Sequence, residues 1–414
     1  MSSIAEAQAP ALLSFRDVLR GDVIRRVWYA QLVSLFGDFL ALFAVIAYVT
    51  FRLHGSPSQL TAVQISYMLP IVVMGPLAGV FVDRWPLKPT LIASDLIRAA
   101  LAMLLLVSTS MWHLYAVLAM LSAISSFFGP AQSVAIRTHV PANGLISANA
   151  LMQIAFMVAR ILGPAAAGAL VAAFGPASCY ALDVLSFVVS ASLIGSVAIH
   201  RPLQERNAPA SENRVGVLLR DMGQGLNFII HHAAVCFMVV AMAAGLFTLG
   251  CFGPLIAIHV RETLRASARA FGFVNGTIGA GLLIGTQAVR QIAARFANET
   301  LVLSGLAGIG AGVFVLGAVP LLFATVIGAF TIGFAFAAIM VPEQTLIQQE
   351  TAPAMLGRVS STMSSVVFLG QVLGLVMSGL LAERLGIRAV FFLCSGIAGA
   401  LVVGGKLLLR ARSA

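Results

Sequence analysis

Residues 130–142 read PAQSVAIRTHVPA and residues 342–354 read PEQTLIQQETAPA, and the two segments align without a gap at an offset of 212 residues. Both copies close a long apolar run, and each is followed by a helix-forming stretch that carries glycine. The chain is therefore predicted to consist of two related halves. The equivalent positions are Pro130 and Pro342, Gln132 and Gln344, Ser133 and Thr345, and Pro141 and Pro353.

Apolar runs extend from these two segments over most of the chain. The 414 residues are 60% hydrophobic and only 10% charged, whereas soluble domains are about 45–50% apolar and about 25% charged. This composition excludes a soluble globular protein, a disordered chain and a nucleic-acid-binding protein. A helix needs ~20 apolar residues to cross a bilayer. Twelve such runs are predicted, at 28–51, 58–82, 89–111, 113–137, 145–173, 177–199, 234–260, 270–294, 300–319, 321–345, 358–383 and 386–409.

The predicted fold class is an all-α integral membrane protein with twelve transmembrane helices in two six-helix pseudo-repeats. Runs such as ALAMLLLVSTSMW at 100–112 are apolar on every face, which excludes the alternating strands of a membrane barrel. Two parallel six-helix repeats are typical of transporters. The predicted divisions are an N-terminal segment 1–27, a first bundle 28–199, a polar linker 200–233, a second bundle 234–409 and a tail 410–414.

Lysine and arginine predict the orientation. With the N-terminus placed in the cytoplasm, 17 of the 25 basic residues fall on the cytoplasmic side, 6 fall on the opposite side and 2 fall inside spans. Because basic residues collect in cytoplasmic loops, both termini are predicted to lie in the cytoplasm of a cell (inner) membrane. Residues 1–10 lack the pattern of a signal peptide, so no cleavage is expected.

The loop after the second span reads GVFVDRWPLKPT, at 79–90. It resembles the signature loop of the major facilitator superfamily, Gly-x-Leu-Ala-Asp-Arg-x-Gly-Arg-Lys, although Pro86 and Leu87 replace the usual Gly and Arg. The matching residues are Gly79, Asp83, Arg84 and Lys88. The fifth span carries GPAAAG, which is similar to an element of the antiporters of that family at Gly163, Pro164 and Gly168.

Together with the repeat, these motifs resemble the branch of the major facilitator superfamily that includes siderophore exporters and macrolide-type drug exporters. The resemblance implies a secondary active transporter, a proton-coupled exporter of amphiphilic or aromatic small molecules that works by alternating access. Its implied partners are a small-molecule cargo, protons and the lipid bilayer, and a monomer without a cofactor is expected. The alternative is a lysophospholipid or lipid translocator of the same fold, whose branch also has a Gly-Asp pair in span one, here Gly37 and Asp38.

Three ionisable residues inside spans are candidates for proton coupling or for lining a cavity. A carboxylate at Asp38, in SLFGDFLALF, costs several kcal/mol unless it is paired, protonated or in contact with water. It is either a coupling group or a protonated acid that only packs helices. Arg160 attracts anionic cargo, holds the coupling carboxylate ionised, or extends to the cytoplasmic surface. Asp183 is favoured for a structural role near the outer interface.

A cytoplasmic gate is predicted at the inner ends of the spans. Asp83, with Arg84 and Lys88, is expected to meet the start of span eleven, where the helix dipole favours a carboxylate. Asp95 and Arg98 stand three residues apart on one helical face, where an internal ion pair is allowed. The remaining predicted gate residues are Glu343, Gly357 and Arg358.

Enzymatic chemistry is not predicted. The sequence contains no GxxxxGK[ST], HExxH or GxSxG motif. Its histidines fall near span ends and its four cysteines are scattered, so no metal site is expected. A membrane-embedded acyltransferase or a sensor would need a nucleophile constellation or a sizeable soluble domain, and the sequence offers neither.

Overall fold

The computed structural model describes residues 13–82, 85–108, 110–199, 214–293, 295–351 and 355–413. In these residues the regular structure is helical throughout. The helices are α1 Phe15–Arg20, α2 Asp22–Phe51, α3 Pro57–Val82, α4 Leu87–Leu106, α5 Met111–His139, α6 Leu145–Phe174, α7 Pro176–Gly195, α8 Arg214–His231, α9 Ala233–Ile258, α10 Ala268–Ile292, α11 Asn298–Ala318, α12 Leu322–Glu350, α13 Leu356–Leu385 and α14 Ile387–Ser413.

Twelve long helices match the twelve predicted runs, namely α2 to α7 and α9 to α14. Within the described residues, eleven of them are long and apolar enough to cross a membrane. The twelfth, α10, is long enough, but its glycines and its polar residues, such as Asn275 and Gln287, make its composition less apolar. The all-helical membrane fold predicted from the sequence is therefore confirmed.

Polar residues explain where the observed boundaries differ from the apolar runs. Helix α4 ends at Leu106, five residues before the predicted end, because Ser110 caps the next helix by accepting a hydrogen bond from the His113 amide. Helix α2 begins at Asp22, six residues before the predicted start, with Asp22 in its first turn, where the helix dipole favours an acid.

The short helix α1 precedes the first long helix. Ser14 and Asp17 form a capping box at its start. The hydrogen bonds from Ser14 lower the pKa of Asp17. Helix α8, Arg214–His231, lies within the predicted polar linker. The Thr362 hydroxyl of α13 donates to the Met222 carbonyl of α8, at 3.3 Å, so α8 packs against the start of α13.

The described residues group into two compact units. Unit 1 takes its residues from Met1–Ala41, Ser66–Arg160 and Ala177–Pro209. Unit 2 takes its residues from Leu42–Ile65, Ile161–Pro176 and Ala210–Ala414. The division into bundles 28–199 and 234–409 stays a prediction.

In unit 2, glycines allow helices to cross at short distances, because they have no Cβ atom. A Cβ atom placed on Gly272 of α10 would lie 2.6 Å from the Pro164 carbonyl oxygen and 2.8 Å from the Gly168 Cα atom, both of α6. One placed on Gly285 of α10 would lie 2.6 Å from the Phe334 carbonyl oxygen of α12. The glycines of α10 thus form a small-residue surface that permits close backbone contact on two sides.

Candidate functional site

A cluster of charged side chains lies inside unit 1, with its members on α2, α4 and α7. We call this group, formed by Asp38, Asp95, Arg98 and Asp183, the acidic cluster. Charges at this depth are costly unless they are paired or reach water, so their partners determine what the cluster can do.

Gly37 allows α2 to pack closely against α7 beside the acidic cluster. A Cβ atom on Gly37 would lie 2.6 Å from the Asp183 Oδ1 atom and 2.8 Å from the Ser186 Cβ atom. Distances below 3.0 Å are essentially never seen for real Cβ atoms. A larger residue at position 37 would therefore require Asp183 and Ser186 of α7 to shift.

Arg98 provides the positive charge of the acidic cluster. Its guanidinium group donates to the Asp95 carboxylate, to the Asp38 Oδ2 atom at 3.3 Å and to the Ser125 hydroxyl at 3.5 Å. The Phe187 ring lies 4.4 Å and the Phe128 ring 5.0 Å from the guanidinium carbon. Two aromatic faces and two carboxylates thus fix Arg98 in one position.

Two of the acids are fully enclosed. Asp95 is 0% exposed, and it accepts a hydrogen bond from the Ser190 hydroxyl of α7 at 2.6 Å as well as one from Arg98. Asp183 is 1% exposed, with its Oδ1 atom 3.4 Å from the Ser186 hydroxyl. Its Oδ2 atom has no hydrogen-bond partner among the described residues.

Asp38 is the accessible acid of the cluster. Its side chain is 14% exposed, whereas the side chain of its partner Arg98 is 3% exposed. The cluster contains three carboxyl groups and one guanidinium group, so it becomes electrically neutral when two carboxyl groups carry a proton. Of the three acids, Asp38 has the most exposed side chain.

The acidic cluster combines residues from two predicted groups. Asp95 and Arg98, predicted as gate residues, are buried against Asp38, and their gate role stays a prediction. The cation that pairs with Asp38 is Arg98 rather than Arg160. Asp183, for which a structural role near the outer interface is predicted, lies beside Gly37. Residue spacing could not predict these contacts, because they depend on helix rotation, which decides which faces meet.

The structure describes most of the other predicted gate residues. The Lys88 ammonium group donates to the Gly195 carbonyl at the end of α7, at 2.7 Å, and Arg358 donates to the Gln224 side chain of α8, at 2.7 Å. Glu343 is buried in α12, and its Oε1 atom has no hydrogen-bond partner among the described residues. Gly79 lies in α3 and Gly357 in α13. Asp83 and Arg84 lie outside the described residues.

Three antiporter-like motif residues lie in α6. Pro164 and Gly168 form the crossing with Gly272 of α10 that is described above, and Gly163 precedes them. In this position the motif allows the two helices to approach each other closely.

All four members of the acidic cluster are predicted site residues, whereas the groups that hold them are not. Ser125, Ser190, Phe128 and Phe187 gave no signal, because serine and phenylalanine are common throughout membrane helices. The contact of Gly37 could have been found from the sequence. A glycine directly precedes Asp38, and the lipid-translocator branch that serves as the alternative also has a Gly-Asp pair in span one.

Long apolar helices with charges buried among them are the architecture of an integral membrane transporter. The family model described as transmembrane secretion effector matches residues 15–413. The chain belongs to this family of major facilitator superfamily transporters.

Curated relatives agree with this membership. The MFS-type transporter YfiS of Bacillus subtilis is 28% identical, over 88% of this chain and 88% of its own length. Macrolide efflux protein A of Streptococcus pyogenes is 26% identical, over 89% of this chain and 91% of its own. The multidrug efflux pump Tap of Mycolicibacterium fortuitum is 25% identical over the same shares.

A solved structure shares the fold. A mutant of the nucleoside transporter NupG superposes with a TM-score of 0.75, at 14% sequence identity, over 93% of this chain and 99% of its own. At this identity the likeness extends to the fold alone. The major facilitator fold predicted from the sequence is therefore confirmed.

Proposed function

We propose that the chain is a proton-coupled exporter of amphiphilic or aromatic small molecules, a class that includes drugs and siderophores. It works as a monomer by alternating access of its two six-helix bundles, in the cell (inner) membrane, with both termini in the cytoplasm. The names of two relatives, a macrolide efflux protein and a multidrug efflux pump, support export. The antiporter-like residues Gly163, Pro164 and Gly168 support it as well.

The contact between Asp38 and Arg98 carries the proposal of proton coupling. When Asp38 is ionised, its charge is balanced by the Arg98 guanidinium group at 3.3 Å. A proton that arrives at Asp38 cancels this ion pair, while Asp95 continues to hold Arg98 in place. Protonation thus changes the interaction between α2 and α4 without leaving the arginine unpaired.

The proton gradient supplies the driving force. Each proton that enters down a potential difference of 100 mV delivers ~2.3 kcal/mol. This energy moves cargo uphill only if the carrier is loaded on one side and emptied on the other. The proposal includes a cytoplasmic gate, which closes the inner side. Its residues are Asp83, Arg84, Lys88, Gly357 and Arg358.

The experiment replaces the coupling carboxyl group with an amide. Asp38→Asn mimics the protonated acid permanently, so it is expected to abolish uphill accumulation and cargo-induced proton flux while counterflow exchange continues. Proteoliposomes loaded in turn with erythromycin, ethidium and carboxyfluorescein provide the assay. The matched control is Asp22→Asn, because Asp22 is exposed and paired with Arg25 outside the cluster.

Two results decide the proposal. Loss of proton flux with retained counterflow in Asp38→Asn, together with wild-type behaviour of Asp22→Asn, supports Asp38 as the coupling group. Uphill accumulation with normal proton flux in Asp38→Asn contradicts it and places the coupling group elsewhere.

A further inference from the structure

Helix α6 carries a polar stripe that the proton-coupling cluster does not use. We call the residues Asn149, Gln153, Phe156 and Arg160 the α6 stripe. Their spacing of four, three and four residues places them on one face of the helix. Asn149, Gln153 and Arg160 are exposed and Phe156 is half-buried, so the stripe is open along about three turns.

The opposite face of α6 is also exposed, but it is apolar. Ile154, Val158 and Leu162 are 41%, 36% and 54% exposed, respectively. At about 100° per residue, this apolar face is centred about 170° from the α6 stripe. A membrane helix with two opposite exposed faces turns the apolar one to lipid. The α6 stripe must therefore face water, because an arginine in the middle of a span is not tolerated against lipid.

Arg160 is not required to balance charges of the protein. It lies near the middle of Leu145–Phe174, a helix that contains no acidic residue. No hydrogen bond or ion pair of its side chain occurs among the described residues, and the acidic cluster already has its cation in Arg98. Among the residues that the structure describes, this permanent positive charge thus has no anionic partner.

Aromatic rings adjoin this charge. Phe156 of the stripe meets Phe39 of α2 edge to face, with ring centroids 5.8 Å apart, and Phe39 directly follows Asp38. An aromatic surface thus lies one helical turn from a free guanidinium group, and the Gln153 amide lies on the same face. This set of groups fits a molecule that has an apolar or aromatic body and a carboxylate, because the guanidinium group binds carboxylates in bidentate fashion.

We propose that Arg160 binds an anionic group of the cargo, so that the exporter favours aromatic molecules that carry a carboxylate. This inference rests on the proposed function and narrows its cargo class. Phe39 and Phe156 contact the aromatic body, and Gln153 and Asn149 donate hydrogen bonds along the path. Arg160 is then a specificity-determining residue, separate from the proton carrier Asp38.

Two dyes that differ in one group test the preference. A rhodamine with a free carboxylate and its methyl ester share the same aromatic body. Their binding to the detergent-purified full chain is measured by fluorescence polarisation. The wild type is expected to bind the carboxylate dye about tenfold more tightly or better, the factor that a charge-assisted hydrogen bond contributes. Arg160→Gln is expected to remove this difference and leave the affinity for the ester unchanged.

Two further variants control for charge and for folding. Arg160→Lys keeps a positive charge and is expected to retain part of the preference, because a lysine lacks the bidentate geometry. Arg295→Gln removes an exposed arginine from the connection between α10 and α11 and is expected to bind both dyes like the wild type.

Three results would overturn the inference. They are equal binding of both dyes by the wild type, an equal loss of both dyes in Arg160→Gln, and a loss of the preference in Arg295→Gln. The failure of the inference is distinguishable from the failure of the proposed function. If erythromycin is accumulated through Asp38 while the two dyes bind equally, the exporter stands and only the anion preference is wrong.

Discussion

Arg98 is the residue on which the stability of the acidic cluster depends. Removal of its guanidinium group leaves Asp95 buried without a cation, and breaking one partner of a buried pair costs about 3–5 kcal/mol. Arg98→Gln is therefore expected to lower the free energy of unfolding by about this amount, as measured by denaturant titration in detergent. The double variant Arg98→Gln with Asp95→Asn removes the stranded charge and should recover part of the loss. Wild-type stability in the single variant would contradict the assignment.

The sequence predicted the members of this cluster but not their grouping. Asp38, Asp95, Arg98 and Asp183 were all identified, because an ionisable residue inside an apolar run is rare and costly. The three-residue spacing of Asp95 and Arg98 also predicted their ion pair, which the structure contains. Which helix meets them could not be predicted, because it depends on the rotation of α2 and α7 and on a glycine contact that spacing does not encode.

At the scale of elements, the crossing of α6 and α10 depends on two glycines. A Cβ atom on Gly272 would lie 2.6 Å from the Pro164 carbonyl oxygen, so Gly272→Ala is expected to force the helices apart and lower the melting temperature by several degrees. Gly399→Ala in α14 is the matched control, because no atom lies within 4 Å of its added Cβ. Alanine is the better helix former by about 1 kcal/mol, so the control should melt at or above the wild-type temperature. A Gly272→Ala variant as stable as the control would exclude the tight crossing.

The sequence was sufficient to predict that each helix exists, but it was less informative about the residues at which the helices begin and end. All twelve long helices coincide with apolar runs, because ~20 apolar residues have one stable conformation in a bilayer. The ends depend on local polar groups that hydropathy does not register. Helix α4 stops at Leu106 because Ser110 caps α5, and α2 extends back to Asp22 through the basic turn of Arg25 and Arg26.

For the whole molecule, the number of crossings decides whether both termini lie on the same side of the membrane. Twelve crossings place them together, and eleven would separate them. Helix α10 decides the count, because its composition is the least apolar of the twelve. Its 25 residues span about 37 Å, which exceeds the ~30 Å of hydrocarbon. Several of its polar side chains are hydrogen-bonded to the backbone of the same helix, as the Asn275 amide is to the Phe271 carbonyl at 3.0 Å.

Labelling the two ends of α10 tests the crossing and the orientation together. In a chain whose four native cysteines are replaced by alanine, Ser267→Cys and Arg295→Cys introduce thiols at exposed positions on either side of Ala268–Ile292. If the positive-inside rule holds, an impermeant maleimide should label the Ser267→Cys variant in intact cells and the Arg295→Cys variant only after permeabilisation. The reverse pattern would keep the crossing and place both termini outside. If both variants react on the same side, α10 does not cross, and the twelve-helix arrangement with both termini in the cytoplasm is wrong.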